Sequence, residues 1–303
     1  MATERAGLRR GRGSASLPTV NERPPLEIGQ TKHGGAWAVA SQAGQGERYL
    51  RYKAFGKGLR PAELKEYFPA RWQRIDGLPQ PVQNEEFEVG LAAYFRGALE
   101  SAHMLSMHPG LVMTYDVFVD GPGFGAAYEW IEGESLESRI LRQGPLSRDE
   151  FWPILKQAGD AIAHLHELGF LHRDISPGNI LIEPNGHVRV TDYETITPFP
   201  KTRSYQDTVT INPDYAPIEL HSKFAAYGPE TDVYALAATA YHALTGRRPP
   251  AARFRIASPT VPPAFTVREG ISESVSDAID RGISLRAKDR TPSVVQFLQE
   301  LGL

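Results

Sequence analysis

The sequence predicts an α+β protein in which a small β-rich part precedes a larger helical part. Strand and hairpin patterns dominate residues 26–55 and 111–133, and helical spacing dominates after Gly133. Of the 303 residues, 41% are hydrophobic and 23% are charged, which is typical of a globular protein. The net charge of −3 provides no basic field for nucleic acid, and the absence of cysteine excludes disulfides and thiolate chemistry.

The first part of the chain divides into an arm, a group of strands and an insertion. Residues 1–24 are rich in Arg, Gly, Ser and Pro and predict a flexible basic arm. The segments LEIGQ, AWAVAS and RYLRYKAF predict antiparallel strands from about Leu26 to Phe55. Residues 56–83, with repeated Gly and Pro around a short helical piece, AELKEYF, indicate an insertion. Asn84 is a candidate cap for a helix that runs to about Met107.

The second part of the chain is predicted to be helical. Ser147 and Glu150 form a capping box ahead of apolar residues at three-four spacing, so a buried helix begins there. The segments ILIE and HVRVTD flank an Asn-Gly turn and predict a hairpin. Further helices are expected at 230–244, 272–286 and 292–301.

A group of polar residues follows the strongly predicted helix. The segment HRDISPGN begins at His172 and contains Asp174 and Asn179, and the next hairpin delivers Asp192. Phosphoryl transfer needs a divalent cation on oxygen ligands and a second carboxylate to orient the attacking hydroxyl. This combination of side chains therefore suggests phosphoryl-transfer chemistry.

These motifs resemble those of the protein kinase family, and the segments YAPIE and DRTPS are similar to those of the bacterial Ser/Thr kinases. The sequence HRDISPGN fits the family's catalytic loop, and Asp192-Tyr193-Glu194 and YAPIE stand at its D-F-G and A-P-E positions. The resemblance covers residues 26–303. It implies a two-lobe fold with residues 25–133 in the first lobe and 134–303 in the second. It also implies a structural ion pair between Glu219 and Arg290.

The resemblance assigns roles around the catalytic loop. Asp174 would accept the proton of the substrate hydroxyl, and Asn179 and Asp192 would hold Mg²⁺ or Mn²⁺. Leu181 would lie under the adenine of ATP. The resemblance thus implies ATP and a divalent cation as cofactors and a protein as substrate.

In the first lobe the resemblance points to a phosphate-binding lysine and to the backbone that receives adenine. Lys53 in LRYKAF stands for the family's lysine, and Glu100 is the best candidate for its helix partner. Tyr128 falls at the gatekeeper position. The backbone at Glu129 and Ile131 would bond the adenine edge.

The expected phosphate-covering loop departs from the family pattern, because only its ends, Gly29, Gly34 and Gly35, are glycine. Arg51, two residues before Lys53, faces the same way on a strand, so it is expected to point toward the adenine slot. Further departures are Trp37 at the roof of the slot, Ser176 in place of a lysine, and Glu194 in place of a glycine. Together they indicate an altered nucleotide site.

The leading hypothesis is an ATP-dependent kinase that phosphorylates Ser or Thr of a protein, with autophosphorylation in the segment between Asp192 and Glu219. The alternative is a pseudokinase that acts as a binding or scaffold module. A small-molecule phosphotransferase ranks last. The chain has no apolar signal segment or membrane span, which predicts a cytoplasmic protein. Its oligomeric state stays open.

Overall fold

The computed structural model describes residues 24–303 apart from 47, 70–71, 76–77, 82–84, 106, 121–122, 193–194, 200, 203–211, 223–225 and 258–259. A sheet lobe comes first and a helical lobe follows, which confirms the two-lobe α+β prediction. The arm predicted at residues 1–24 lies outside the described residues except for Pro24.

The sheet lobe is built on six antiparallel strands. Its strands and its helix are β1 (Thr31–Lys32), β2 (Trp37–Gln45), β3 (Tyr49–Phe55), β4 (Pro61–Tyr67), β5 (Trp72–Ile75), β6 (Leu78–Pro81), α1 (Glu85–Leu105), β7 (Thr114–Asp120) and β8 (Gly123–Glu129). The large sheet has the order β1-β2-β3-β4-β8-β7, and β5 and β6 form a separate hairpin. Helix α1 packs against β7 and β8 and confirms the helix predicted to run to about Met107, whereas its predicted cap, Asn84, lies outside the described residues.

Two predictions for the sheet lobe are wrong. Leu26–Gln30 lie before the first strand, although the backbones of Gly29 and Gln30 hydrogen-bond to Val39 of β2. The segment AELKEYF is not helical, because it lies in β4 between β3 and β8. The range interpreted as an insertion, 56–83, therefore contains a central strand of the sheet, and the β5–β6 hairpin is what lies outside that sheet.

The sheet curls until its two edge strands meet. Lys32 on β1 is buried and its Nζ lies 2.9 Å from Glu66 on β4 and 2.9 Å from Asp120 on β7. The Trp37 indole donates to Asp116 on β7 at 3.0 Å, and its ring stacks on Tyr115. These contacts give the sheet an inner face that is separate from the face turned toward the helical lobe.

The helical lobe contains the predicted helices in the predicted order. Its elements are β9 (Glu134–Ser135), α2 (Leu136–Gln143), α3 (Arg148–Glu167), β10 (Phe170–Leu171), β11 (Ile180–Ile182), β12 (Val188–Val190), β13 (Thr197–Pro198), β14 (Lys201–Thr202), β15 (Ala226–Tyr227), α4 (Pro229–Thr245), α5 (Ala252–Arg255), α6 (Ala264–Val267), α7 (Glu273–Gly282) and α8 (Val294–Glu300). The Ser147–Glu150 capping box that begins α3 is confirmed. Helix α4 is buried along nearly its whole length, and α3, α7 and α8 pack against it.

One hydrophobic core runs through both lobes, from Val39 and Leu64 in the sheet to Phe151 and Leu236 in the helices. The predicted Glu219–Arg290 ion pair is confirmed, with Nη1–Oε1 and Nη2–Oε2 distances of 2.5 and 2.9 Å. Within the part of the chain that the structure describes, no helix has the length and apolar character needed to cross a membrane.

Candidate active site

The catalytic-loop residues are held by a buried carboxylate from α4. Asp232 accepts hydrogen bonds from the backbone N–H groups of His172 and Arg173, both at 2.8 Å, and a further one from His166 at 2.8 Å. Burial raises the pKa of Asp232, but these hydrogen bonds and the nearby histidines hold it below its ordinary value. The Asp232 carboxylate therefore fixes the backbone conformation of the two residues before Asp174.

Asp174 and Asn179 form one hydrogen-bonded unit. The Asn179 amide nitrogen donates to the Asp174 backbone oxygen at 2.7 Å and to its carboxylate at 3.2 Å. The backbone carbonyl oxygen of Asn179 accepts a hydrogen bond from the backbone N–H of Thr191 at 3.0 Å, which joins the loop to the residue before Asp192. This bond brings Asn179 and Asp192, the two residues predicted to hold a metal, close together in the fold.

Asp192 meets a lysine from the sheet lobe. The ammonium group of Lys65 on β4 contacts its carboxylate across the cleft, and that lysine is 4% exposed. Burial alone would raise the pKa of Asp192, but the charges of Lys65 and Arg51 outweigh it and hold the pKa below its ordinary value. Asp192 also has a φ of 65°, a left-handed backbone that costs energy in a residue with a Cβ and is often found at functional sites.

The structure does not bring Lys53 and Glu100 to this place. The Lys53 ammonium lies 4.6 Å from the ring centroid of Trp130, and Glu100 is exposed and pairs with Arg96 on its own helix. The lysine that reaches Asp192 is Lys65, one strand further along the chain. The sequence points to Lys53 because the residues around Lys65 have a helical composition, which hides the strand in which Lys65 lies.

The glycines Gly29, Gly34 and Gly35 also lie away from the cleft. Gly34 and Gly35 lie in the β1–β2 turn and Gly29 lies just before β1, and His33 of the same turn bonds Asp116 on the far edge strand β7. Trp37, expected to roof the adenine slot, is instead buried against that same edge. Gly46 lies in the β2–β3 turn, and Gly44, near the end of β2, is the register partner of Arg51, which in turn faces Lys65. This turn is the better candidate for covering phosphates.

The connection between the lobes holds the residues predicted to meet adenine. The Glu129 N–H donates to Met113 O at 2.8 Å, so this N–H is engaged within the protein. Its carboxylate accepts from Arg189 at 3.1 Å. Ile131 and Leu181 are half-buried and pack against the core, and Tyr128 is buried.

The oxygen groups of Asp192 and Asn179 fit a hard divalent cation, because a carboxylate and an amide oxygen are ligands that Mg²⁺ accepts. Within the described residues no three His, Asp or Glu side chains converge on one point, so the candidate set is this pair. Tyr193 and Glu194, the other members of the D-F-G position, lie outside the described residues. Ser176 is buried, at 3% exposure.

Arg173 is engaged within the segment that follows Asp192. It donates to Thr195 O at 2.8 Å and to the Tyr227 hydroxyl at 3.2 Å, and it is 4% exposed. The hydroxyl-bearing residues predicted to regulate this segment include Ser204, Thr208 and Thr210, which lie outside the described residues.

The sequence interpretation missed Lys65 and the glycines Gly44 and Gly46, and two short motifs could have pointed to them. The strand segment Ala62-Glu63-Leu64-Lys65 aligns with the V-A-I-K motif of the family and ends in its lysine. Glu63 replaces the alanine of the motif. Gly44-Gln45-Gly46 is a G-x-G triplet placed before it. Both signals lie in the part of the chain where the family pattern is weakest.

Comparison with known proteins places this site in a family. The family model described as protein kinase domain matches residues 93–299. 3-phosphoinositide-dependent protein kinase 1 of Arabidopsis thaliana is 32% identical over 187 residues, which cover 57% of this chain and 38% of the plant protein. Serine/threonine-protein kinase PrkC of Bacillus subtilis is 34% identical over 157 residues, with 51% and 24% covered. Serine/threonine-protein kinase PknA of Mycobacterium tuberculosis is 35% identical over 163 residues, with 51% and 37% covered. The matched region spans less than half of each of these relatives.

Proposed function

Because the chain belongs to the protein kinase family, we propose that it transfers the γ-phosphoryl group of ATP to Ser or Thr hydroxyls of a protein. The observation that carries the proposal is the meeting of Lys65 from the sheet with Asp192, next to the Asp174–Asn179 unit. The names of the bacterial relatives, both serine/threonine-protein kinases, support Ser and Thr as acceptors.

The proposed roles follow from the chemistry of each group. Asp174 orients the substrate hydroxyl and accepts its proton as the oxygen attacks the γ-phosphorus and ADP leaves. Lys65, whose ammonium group contacts Asp192, binds the phosphate oxygens of the nucleotide. A divalent cation held by Asp192 and Asn179 would neutralise charge on the phosphates.

A pseudokinase that binds a partner without turnover is the second candidate. The ion pair between Arg51 and Glu63 on the cleft face favours it, because charged side chains stand where an adenine ring would need apolar cover. Ser176 favours it too, since it supplies no cation for the transferring phosphate.

The first test is the intact mass of phosphatase-treated protein after incubation with Mg²⁺-ATP or Mn²⁺-ATP, with casein as an added substrate. We expect phosphate adducts in the unaltered protein, and their loss in Lys65→Met and Asp174→Ala. Lys156→Met is the matched control, because that lysine is 46% exposed and pairs with Asp160 on α3.

Turnover by Lys65→Met equal to that of the control would contradict the site. ATP-dependent thermal stabilisation without any adduct under either metal would favour the pseudokinase.

A further inference from the structure

The helical lobe contains a cavity that shares no residue with the candidate active site. It has a volume of about 210 Å³ and lies where α3 begins, where α4 ends and where the chain leads into α7. Residues of the segments 146–152 and 268–275, together with Leu244, line it. Pockets for drug-sized molecules measure roughly 300–1,000 Å³. This cavity is therefore suited to a smaller molecule.

Hydrogen bonds hold the walls of this cavity in place. The Leu146 N–H donates to Ala243 O at 2.8 Å. The Nη1 atom of Arg268 donates to Leu146 O at 2.5 Å and to Leu244 O at 2.7 Å. Arg268 thus joins the segment before α7 to the start of α3 and the end of α4. The cavity is therefore formed by contacts of the protein itself and needs no ligand to open it.

The buried part of the lining is mainly apolar. Trp152 on α3, Leu244 on α4 and Val275 on α7 line the cavity and are 8%, 2% and 6% exposed. Contact with such side chains favours the hydrocarbon part of a ligand, because apolar surface is removed from water. A molecule that fills the cavity must therefore have an apolar body.

Two arginines add positive charge to this lining. Arg148 lies over the Trp152 ring, 5.2 Å from its centroid, and donates no hydrogen bond to the part of the chain that the structure describes. Arg268 uses Nη1 for the two carbonyls, and among the described residues its Nε and Nη2 have no acceptor. Glu269, the one carboxylate in the described lining, is exposed to water. The net charge of the lining is positive, which favours an anion.

The two donors that Arg268 retains suit one kind of anion. Nε and Nη2 lie on the same edge of the guanidinium, so their N–H groups are parallel. Two parallel N–H groups match the two oxygens of a carboxylate, and such bidentate pairs are among the strongest hydrogen-bonded contacts in proteins. Because the bonds from Nη1 already fix the guanidinium, little side-chain freedom is lost when an anion binds.

We propose that this cavity is a binding site for a small organic acid, in which one carboxylate is attached to an apolar body. Arg268 binds the carboxylate through Nε and Nη2, and Arg148 provides a second cation at the exposed side. The apolar body packs against Trp152 and Val275. The site is separate from the nucleotide cleft and does not rest on the proposed function.

The experiment measures dissociation constants of the full chain by ligand-observed NMR with phenylacetate, phenylethanol and phenylethylammonium. These probes share an apolar body and differ in the charge of the head group. We expect phenylacetate to bind about tenfold more tightly than phenylethanol, the gain expected for a hydrogen bond to a charged group. Phenylethylammonium should bind least. Saturating Mg²⁺-ATP should leave the affinity for phenylacetate unchanged, because the cavity lies outside the cleft.

Arg268→Gln should weaken phenylacetate binding by about tenfold and change phenylethanol binding little. Because Arg268 also holds two backbone carbonyls, circular dichroism checks the fold of this variant. Arg148→Gln removes no hydrogen bond to the described residues and should weaken phenylacetate binding by about threefold, as for an exposed charge. Arg281→Gln is the matched control, since that arginine is 49% exposed and pairs with Glu300 outside the cavity.

The control should bind phenylacetate as the unaltered protein does. Equal affinities for phenylacetate and phenylethanol would overturn the assignment of an acid, and so would unchanged phenylacetate binding in Arg148→Gln and in folded Arg268→Gln. Displacement of phenylacetate by Mg²⁺-ATP, or the absence of saturable phenylacetate binding, would overturn the site itself. Each of these results leaves the proposed phosphoryl transfer standing, because that activity is measured by phosphate adducts.

Discussion

At the scale of single residues, the site depends on backbone conformations that local preference opposes. Arg173 and Asp192 have φ angles of 68° and 65°, although neither is glycine. Such residues persist only where their surroundings fix them. The Asp232 carboxylate does this for Arg173, because each of its oxygens accepts a backbone N–H from the catalytic loop.

Asp232→Asn should therefore destabilise the protein and impair transfer. The asparagine amide offers one oxygen where the carboxylate offers two, so an NH₂ group would face a buried N–H donor. We expect a loss of about 3 kcal/mol in the free energy of unfolding, because the network around a buried charge is broken. Urea unfolding measures it, together with the phosphorylation rate.

Asp160→Asn is the control for that substitution, since Asp160 is 46% exposed and pairs only with a lysine on its own helix in the contacts that the structure gives. An exposed pair of this kind contributes about 0.3–0.5 kcal/mol. Equal effects of the two substitutions would show that Asp232 does not organise the loop.

Sequence motifs predict single residues well where the chain is locally constrained. Asp174, Asn179 and Asp192 were predicted and lie together, because a loop and an adjoining hairpin fix their spacing. The sequence points to Lys53 as the phosphate-binding lysine, whereas Lys65 is the lysine that contacts Asp192, because that choice depends on which strand occupies the centre of the sheet. Such a choice is made by tertiary pairing and is invisible to local patterns.

At the scale of elements, β4 shows how tertiary context overrides propensity. Ala, Glu, Leu and Lys all favour helices, so AELKEYF has a helical composition. Its residues nevertheless pair with β3 on one side and β8 on the other, and Leu64 to Tyr67 are all buried. The strand is covered on both faces, so the alternation of polar and apolar residues that would reveal it is absent.

Helix α4 holds Tyr215 of the YAPIE segment by a buried hydrogen bond whose strength depends on pH. The Tyr215 hydroxyl and His242 Nδ1 form a hydrogen bond of 2.7 Å, and burial lowers the pKa of His242 from 6.5 to about 4. The folded protein therefore keeps this imidazole neutral at pH values where the unfolded chain binds a proton. Stability from this group is complete above pH 6.5 and is lost as the pH falls toward 4.

We expect His242 to account for about 2 kcal/mol of lost unfolding free energy between pH 7 and pH 5. The check is urea unfolding at both pH values for the unaltered protein and for His242→Gln, which does not titrate there. The buried His172, whose pKa is also lowered, contributes in the same direction in both proteins, so it cancels from the difference. The same pH dependence in both proteins would show that His242 is protonated in the fold.

At the scale of the whole molecule, the two lobes differ in how far their sequences reveal them. The helical lobe has caps, breakers and family motifs, and its predicted helices are present in order. The family model begins only at residue 93, within α1, so the strands before it carry little of the common pattern. In these strands, buried charged residues such as Lys32, Lys65 and Glu66 interrupt the hydrophobic periodicity from which strands are predicted.

The closure of the sheet is expected to stabilise the molecule through Lys32. This lysine is 6% exposed and joins strand β1 to β4 and to the opposite edge strand β7 through Glu66 and Asp120. Lys32→Met keeps the length of the side chain but leaves two carboxylates without this partner. Although Arg74 still holds Glu66 at 2.6 Å, we expect a loss of about 3 kcal/mol, as for breaking a buried ion pair.

Urea unfolding followed by tryptophan fluorescence measures this loss, because Trp72 lies in the sheet lobe and Trp152 in the helical lobe. Since one core joins the lobes, the change should move a single transition rather than separate two. Lys156→Met, at an exposed site, should leave the transition in place. A sheet lobe that unfolds ahead of the helical lobe in Lys32→Met would show that the lobes are stabilised independently, and an unmoved transition would show that Lys32 does not close the sheet.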